Sequence, residues 1–109
     1  MKIEIKPLTV NQCWQGKRFK TPKYKAYEEE LLLLLPNKLE VPLGSLKITM
    51  KWGFSSKLAD YDNPIKPFQD ILQKKYDFDD RRIFKAIIEK EIVKKGDEYI
   101  EFNIEKIQF

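Results

Sequence analysis

The alternation of apolar and polar residues across positions 46–52 constrains the fold more than any other feature of this sequence. Every second residue is apolar and the others are lysine or threonine, in the order Leu46, Lys47, Ile48, Thr49, Met50, Lys51 and Trp52. Because successive side chains of a β-strand point to opposite faces, this period predicts a strand that is buried on one face. The buried face requires a second layer of structure to cover it.

One helix is predicted before this strand and one after it. Segment 22–35 is rich in helix-forming residues, with Thr21 placed to cap its first turn and Pro22 at the first helical position. Segment 64–75 has apolar residues at helical spacing, and Asn63 is expected to cap it. These helices are the expected cover for the apolar face of the strand.

Three further strands are predicted. They lie at residues 3–5, at about 83–93 and around 100–104, and the last of them follows a turn at 95–97. The expected fold is α/β of the α+β kind, in a roughly βαβαββ order, with a mixed β-sheet and helices packed mainly on one face. With 109 residues and 42% hydrophobic content, the chain supports one core, so a single domain covering residues 1–109 is expected.

The composition excludes several classes of chemistry. The sequence has no histidine and one cysteine, Cys13, which excludes histidine-based zinc sites, Ser-His and Cys-His nucleophile pairs and an intrachain disulfide. Its 21 Lys plus Arg residues outnumber its 17 Asp plus Glu residues, and the net charge of +4 favours a nucleic-acid partner. The first residues form no apolar stretch, so we expect no membrane anchor and a soluble, intracellular protein.

Four carboxylates and a lysine are concentrated in one short part of the chain. Asp60 and Asp62 precede the second predicted helix, Lys66 lies in its first turn, and Asp79 and Asp80 follow it. Carboxylate oxygens are the ligands that Mg²⁺ and other hard cations prefer, so this pattern predicts a metal site. The alternative is structural, because Asp and Asn ahead of a proline are also typical of a turn that leads into a helix.

A basic segment precedes the first predicted helix and extends into it. Its cations are interleaved with aromatic residues. The cations are Lys17, Arg18, Lys20, Lys23 and Lys25, and the aromatic residues are Trp14, Phe19, Tyr24 and Tyr27. Cations that neutralise phosphates, next to aromatic rings that stack on bases, indicate a DNA-binding surface. The alternative is a loop whose aromatic residues anchor it to the core.

The five consecutive leucines at 31–35 cover more than one face of a helix. Two interpretations are open: the leucines form a dimer interface, or they are buried against the sheet of their own chain. The pattern by itself favours neither of them.

The order and spacing of the acidic residues resembles the RusA family of Holliday-junction resolvases, small endodeoxyribonucleases of phages and bacteria. The matching pattern is Asp60-x-Asp62-Asn63-x-x-Lys66, then a helix, then Asp79-Asp80 ahead of a strand. The size and basic charge of the chain agree with that family. The stretch from Asn11 to Trp14 loosely resembles the asparagine-containing loop of the family, so these two residues are expected to join the basic segment in binding DNA.

The resemblance implies a metal-dependent endodeoxyribonuclease that resolves four-way DNA junctions by paired symmetric cuts, in DNA recombination and repair. It also implies Mg²⁺ or Mn²⁺ as the cofactor, a homodimer, and a place in the cytoplasm of a bacterium or a phage-infected cell. By position, Asp60, Asp62 and Asp80 are its catalytic residues and metal ligands. Asp79 is the alternative to Asp80, and Lys66 is the catalytic lysine, suited to contact with the scissile phosphate or the leaving oxygen. Whether one metal ion or two are bound stays open.

Two other functions stay open. One is a non-catalytic protein that binds branched DNA and whose acidic cluster is structural, and the other is a nuclease for other branched DNA. The substitution Asp62→Asn distinguishes the first alternative from a nuclease, because a nuclease should lose cleavage whereas a pure binder has none to lose. The geometry of the preferred DNA substrate separates the second.

Overall fold

The computed structural model describes residues 1–9, 12–15 and 19–108, and for residues 14, 15 and 19 it describes the backbone alone. The elements, in chain order, are β1 (Lys2–Ile3), β2 (Trp14–Gln15), β3 (Phe19–Lys20), α1 (Pro22–Leu34), β4 (Leu46–Phe54), α2 (Ile65–Tyr76), a 3₁₀ turn (Asp80–Arg82), β5 (Ile83–Ile92) and β6 (Tyr99–Lys106). In this part of the chain, neither α1 nor α2 combines the length and the apolar composition needed to cross a bilayer.

A four-stranded mixed sheet, in the order β1, β6, β4, β5, forms the centre of the fold. β4 is antiparallel to β6 and parallel to β5, so that Met50 lies opposite Phe102 on one side and Ile88 on the other. Two parallel neighbours need a crossover connection, and α2 lies within it. This crossover places Asp60 and Asp62 between β4 and α2, and Asp79 and Asp80 between α2 and β5.

The hydrophobic core lies between the sheet and the two helices. Trp52 of β4 and Phe68 of α2 are fully buried, with ring centroids 5.7 Å apart in an edge-to-face arrangement. Phe68 packs on Phe102 of β6 in the same manner, at 5.4 Å. Such aromatic pairs contribute about 0.5–1.5 kcal/mol each beyond the burial of their surface. The predicted α+β fold, with a mixed sheet and helices packed on it, is confirmed.

Helix α1 begins as the sequence predicts. The Thr21 hydroxyl accepts a hydrogen bond from the Tyr24 backbone N–H at 3.1 Å, and Pro22 occupies the first turn. The leucine run is divided between the core and the surface: Leu31 and Leu35 are buried, whereas Leu33 is 85% exposed. Burial in the chain's own core therefore accounts for part of the run, and its outward leucines leave the dimer interpretation as a prediction.

On the outer face of the sheet, Tyr99 lies across Gly53, its partner on β4. A Cβ atom at position 53 would come within 2.3 Å of the Tyr99 ring, so the packing requires glycine there. The Tyr99 hydroxyl donates to Glu91 at 2.8 Å, and Lys51 pairs with the same carboxylate at 3.2 Å. These contacts join three strands and leave Glu91 engaged within its own chain.

The N-terminal part differs from the sequence-based prediction. β1 is limited to Lys2–Ile3, because the Ile5 N–H turns back to the Ile3 carbonyl at 3.0 Å. β2 and β3 form a separate antiparallel ribbon that was not predicted. Each of these strands is two residues long, which is too short for an alternating pattern to be recognised.

Candidate active site

The acidic motif lies in the segment that connects β4 to α2, and two side chains of the sheet anchor this segment. The Trp52 indole N–H donates to the Tyr61 carbonyl at 2.8 Å. The Lys90 ammonium group donates to the Ala59 carbonyl at 2.9 Å, and Lys90 lies beside Trp52 on the parallel strand β5. The backbone on both sides of Asp60 is therefore tied to the C-terminal halves of the two parallel strands.

Asp60 and Asp62 are both exposed to solvent, as ligands for an incoming cation must be. The Asn63 side-chain amide donates to the Asp60 carboxylate at 3.1 Å, and the Asp62 carbonyl accepts from the Ile65 N–H at 3.1 Å. The prediction that Asn63 caps α2 is therefore wrong, since its side chain turns back to Asp60 and α2 has no side-chain cap. The motif forms a turn that presents both carboxylates ahead of the helix.

Lys66 lies in the first turn of α2, and its ammonium group binds the carboxylate of Asp70 at 2.9 Å. The hydrogen bond and the charge of Asp70 raise the pKa of Lys66 above its ordinary value, and the charge of Asp80 adds to the rise. The charges of Lys66 and Asp80 therefore act on each other, although α2 separates the two residues along the chain. Lys66 is held in its charged form, as contact with a phosphate requires.

Sequence reasoning missed Asp70, which alone is one of many charged residues on a helix surface. The signal that would have found it is its spacing of four residues from Lys66, which places both side chains on one helix face. Burial raises the pKa of the Cys13 thiol to about 11, and the negative charge of Asp70 contributes to that shift. The charge of Asp70 therefore acts on both Lys66 and Cys13, and Cys13 is an unreactive buried thiol.

Replacing Asp70 with asparagine is expected to lower the pKa of Lys66 toward the ordinary value of a lysine, because both the hydrogen bond and the charge that raise it are lost. The measurement is an NMR titration of the Lys66 side-chain Cε signal in the native chain and in the variant. Asp97→Asn, the same chemical change in the β5–β6 turn, is the control and should leave Lys66 unaffected. An identical Lys66 titration in Asp70→Asn and the native chain would contradict the assigned contact.

Asp79 and Asp80, which the sequence left as alternatives, differ in their local roles. Asp79 caps the 3₁₀ turn: its carboxylate accepts from the Arg81 backbone N–H at 2.9 Å and pairs with the Arg81 guanidinium at 2.8 Å. The hydrogen bonds from Arg81 lower the pKa of Asp79. The Asp80 carboxylate does not accept the capping bond, and its charge contributes to the raised pKa values of both Lys66 and Arg81. Asp79 is committed to local structure, which favours Asp80 as the functional carboxylate.

The spacing of the carboxylates limits how a divalent metal ion can be held. Within residues 1–9, 12–15 and 19–108, no three acidic or thiol side chains lie close enough together to hold one ion. Mg²⁺ is usually held by one or two carboxylates and completes its shell with water and phosphate oxygens. Two exposed carboxylates on one turn, Asp60 and Asp62, fit such a site, and it needs no third protein ligand.

The predicted DNA-binding residues are described only in part. Lys23 and Lys25 are exposed on the first turns of α1, and Lys20 is half-buried just before it. Asn11, Lys17 and Arg18 lie outside the described residues, and of Trp14 only the backbone is described. Tyr24 and Tyr27 are buried in the core, so for these two aromatics the anchoring alternative holds.

Glu28 connects the basic segment to the helix that carries Lys66. Its carboxylate pairs with Lys20 at 2.9 Å and with Lys74 of α2 at 2.5 Å, and its side chain is only 12% exposed. Burial acts to raise the pKa of Glu28, but hydrogen bonds from Lys74 and Lys20 outweigh it and hold the pKa below its ordinary value. The middle of α1 and the C-terminal half of α2 are thus held side by side.

No family model and no curated protein matches this chain. A functional assignment therefore rests on the residues described above and on the chemistry that their positions allow.

Proposed function

We propose that this protein is a metal-dependent endodeoxyribonuclease that resolves four-way DNA junctions by paired, symmetric hydrolysis of phosphodiester bonds. The observation that carries the proposal is the position of Lys66, which binds Asp70 and whose raised pKa also reflects the charge of Asp80. It lies at the start of the helix that directly follows Asp60 and Asp62. The order of these residues is the one in which the chain resembles the RusA resolvases, and recombination and repair in a bacterial or phage-infected cell is the corresponding setting.

The chemistry of phosphodiester hydrolysis assigns a task to each residue. Negative charge builds on the phosphate, and the reaction needs an activated water and a stabilised leaving oxygen. A bound Mg²⁺ or Mn²⁺ would supply Lewis-acid stabilisation and make water more acidic. Asp60 and Asp62 would hold the ion, with Asp80 as a further carboxylate on the Lys66 side. Lys66 places a positive charge at the phosphate or the leaving oxygen, and Asp70 keeps that ammonium group protonated and oriented.

Binding of the DNA backbone is assigned to the basic segment. Lys23 and Lys25 are exposed at the start of α1, and Glu28, in the middle of that helix, pairs with Lys74 in the C-terminal half of α2. We propose that this surface neutralises phosphates next to the scissile bond and continues through Asn11, Trp14, Lys17, Arg18 and Lys20. A homodimer would present two such sites to one junction, as a pair of symmetric cuts requires.

The experiment that tests this function is an incubation of the native chain with a labelled four-way junction in Mg²⁺, in Mn²⁺ and in a chelator. Cleavage is expected with either metal and none in the chelator, and added metal should restore it. Binding to the same junction is measured in parallel. Tight binding with no cleavage in either metal would contradict the nuclease and assign a non-catalytic protein that binds branched DNA.

A further inference from the structure

β5 is an edge strand with an unusually long open side. It spans ten residues, Ile83–Ile92, and lies at the end of the strand order, so it pairs with β4 on one side alone. On its other side, no strand of the described residues pairs with β5. Exposed backbone of this kind is a template for pairing with another strand. Apolar side chains accompany it, since Phe84 is 64% and Ile92 is 42% exposed.

Charged side chains usually protect such an edge from pairing, but those of β5 are self-complementary. In β5, Lys85, Ile87 and Glu89 share the outer face of the sheet, because they pair with Lys47, Thr49 and Lys51 of β4. If two antiparallel copies of β5 meet with Ile87 opposite Ile87, each Lys85 lies opposite the Glu89 of the other copy. Opposite charges in directly facing positions stabilise a strand pair.

A neighbouring register would place Lys85 opposite Glu91 instead. Glu91, however, already binds Tyr99 and Lys51 within its own chain. No ion pair of Glu89 is found among the described residues. Of these two registers, the one centred on Ile87 therefore places Lys85 opposite the carboxylate for which no ion pair is found among the described residues.

We propose that the outer edge of β5 pairs antiparallel with the same edge of a second copy of this chain, with Ile87 at the two-fold axis. The contact is isologous and joins two four-stranded sheets into one continuous sheet. Because Asp80 lies just before β5, the two copies of Asp80 come to opposite ends of the joint strand pair, related by the two-fold axis. The pairing itself does not depend on the proposed nuclease activity, since it is measured without DNA.

The test is sedimentation equilibrium at protein concentrations up to ~100 µM, since a small interface associates weakly. The native chain is expected to be dimeric at the highest concentration. Lys85→Glu should be monomeric there, because two like-charged pairs replace two salt bridges across the axis. The double variant Lys85→Glu/Glu89→Lys should be dimeric again. Lys47→Glu, a charge reversal beside Lys85 but one strand inside the edge, is the control and should remain dimeric.

Amide hydrogen exchange of the native chain provides a second measurement that needs no variant. Protection of amides within 83–92 should increase as the protein concentration is raised. A native chain that is monomeric throughout, Lys85→Glu that remains dimeric, a double variant that stays monomeric, or β5 exchange that is independent of concentration would each overturn the proposal.

Discussion

Replacing Asp62 with asparagine is expected to reduce junction cleavage by on the order of 10³-fold, which is the scale of losing one main source of transition-state charge stabilisation. The substitution keeps the size and shape of the side chain and removes the charge that would hold the metal. Asp62 is exposed, and the bond that its backbone carbonyl accepts from Ile65 is unaffected. The variant should therefore keep the melting temperature of the native chain.

DNA binding is the second measurement on this variant. Asp62→Asn should bind the junction at least as tightly as the native chain, because one negative charge is removed from a surface that approaches phosphates. Asp97→Asn, the same change in an exposed turn, should cleave at the native rate. Native-like cleavage by Asp62→Asn would rule out Asp62 as a metal ligand.

The other large effect is expected at Asp80, for which the adjacent Asp79 is a matched control. Asp80→Asn should lower the cleavage rate by ~10²- to 10³-fold, since the charge of Asp80 acts on Lys66 and we propose it as a further carboxylate of the site. Asp79→Asn should retain cleavage within a few-fold, because Asp79 caps the 3₁₀ turn and pairs with Arg81. Single-turnover cleavage of the junction at saturating protein measures both.

The two variants also differ in how acid affects their stability. The pKa of Asp79 is lowered by its hydrogen bonds to Arg81, so its contribution to stability is present at neutral pH and is lost as the pH falls through that lowered value. Asp79→Asn should therefore show a smaller acid-induced fall in melting temperature than Asp80→Asn. A large loss of cleavage in Asp79→Asn with none in Asp80→Asn would reverse the assignment of the two residues.

Long periodic segments made most of the fold predictable from the sequence. The alternation in β4 and β6 identified both strands, and Thr21 with Pro22 identified the start of α1. The ribbon of β2 and β3 could not be predicted, since two-residue strands carry no period. The sequence predicted Asn63 as the cap of α2, but the Asn63 side chain instead donates a hydrogen bond to the Asp60 carboxylate.

The candidate site was predictable as a set of residues but not as an arrangement. Asp60, Asp62 and Lys66 are recognisable from their spacing. The contact of Asp70 with Lys66 was accessible from their spacing of four residues, but the difference between Asp79 and Asp80 depends on which carboxylate caps the 3₁₀ turn. Local sequence cannot decide the second point, because it depends on side-chain partners that only the folded chain selects.

The most direct test of the central claim is to map the nicks that the native chain makes in a labelled four-way junction with Mg²⁺ or Mn²⁺, beside a linear duplex of the same sequence. We predict paired nicks at symmetry-related positions of the junction and an intact duplex. Equal cutting of the junction and the duplex, or nicks without symmetry, would contradict a junction resolvase.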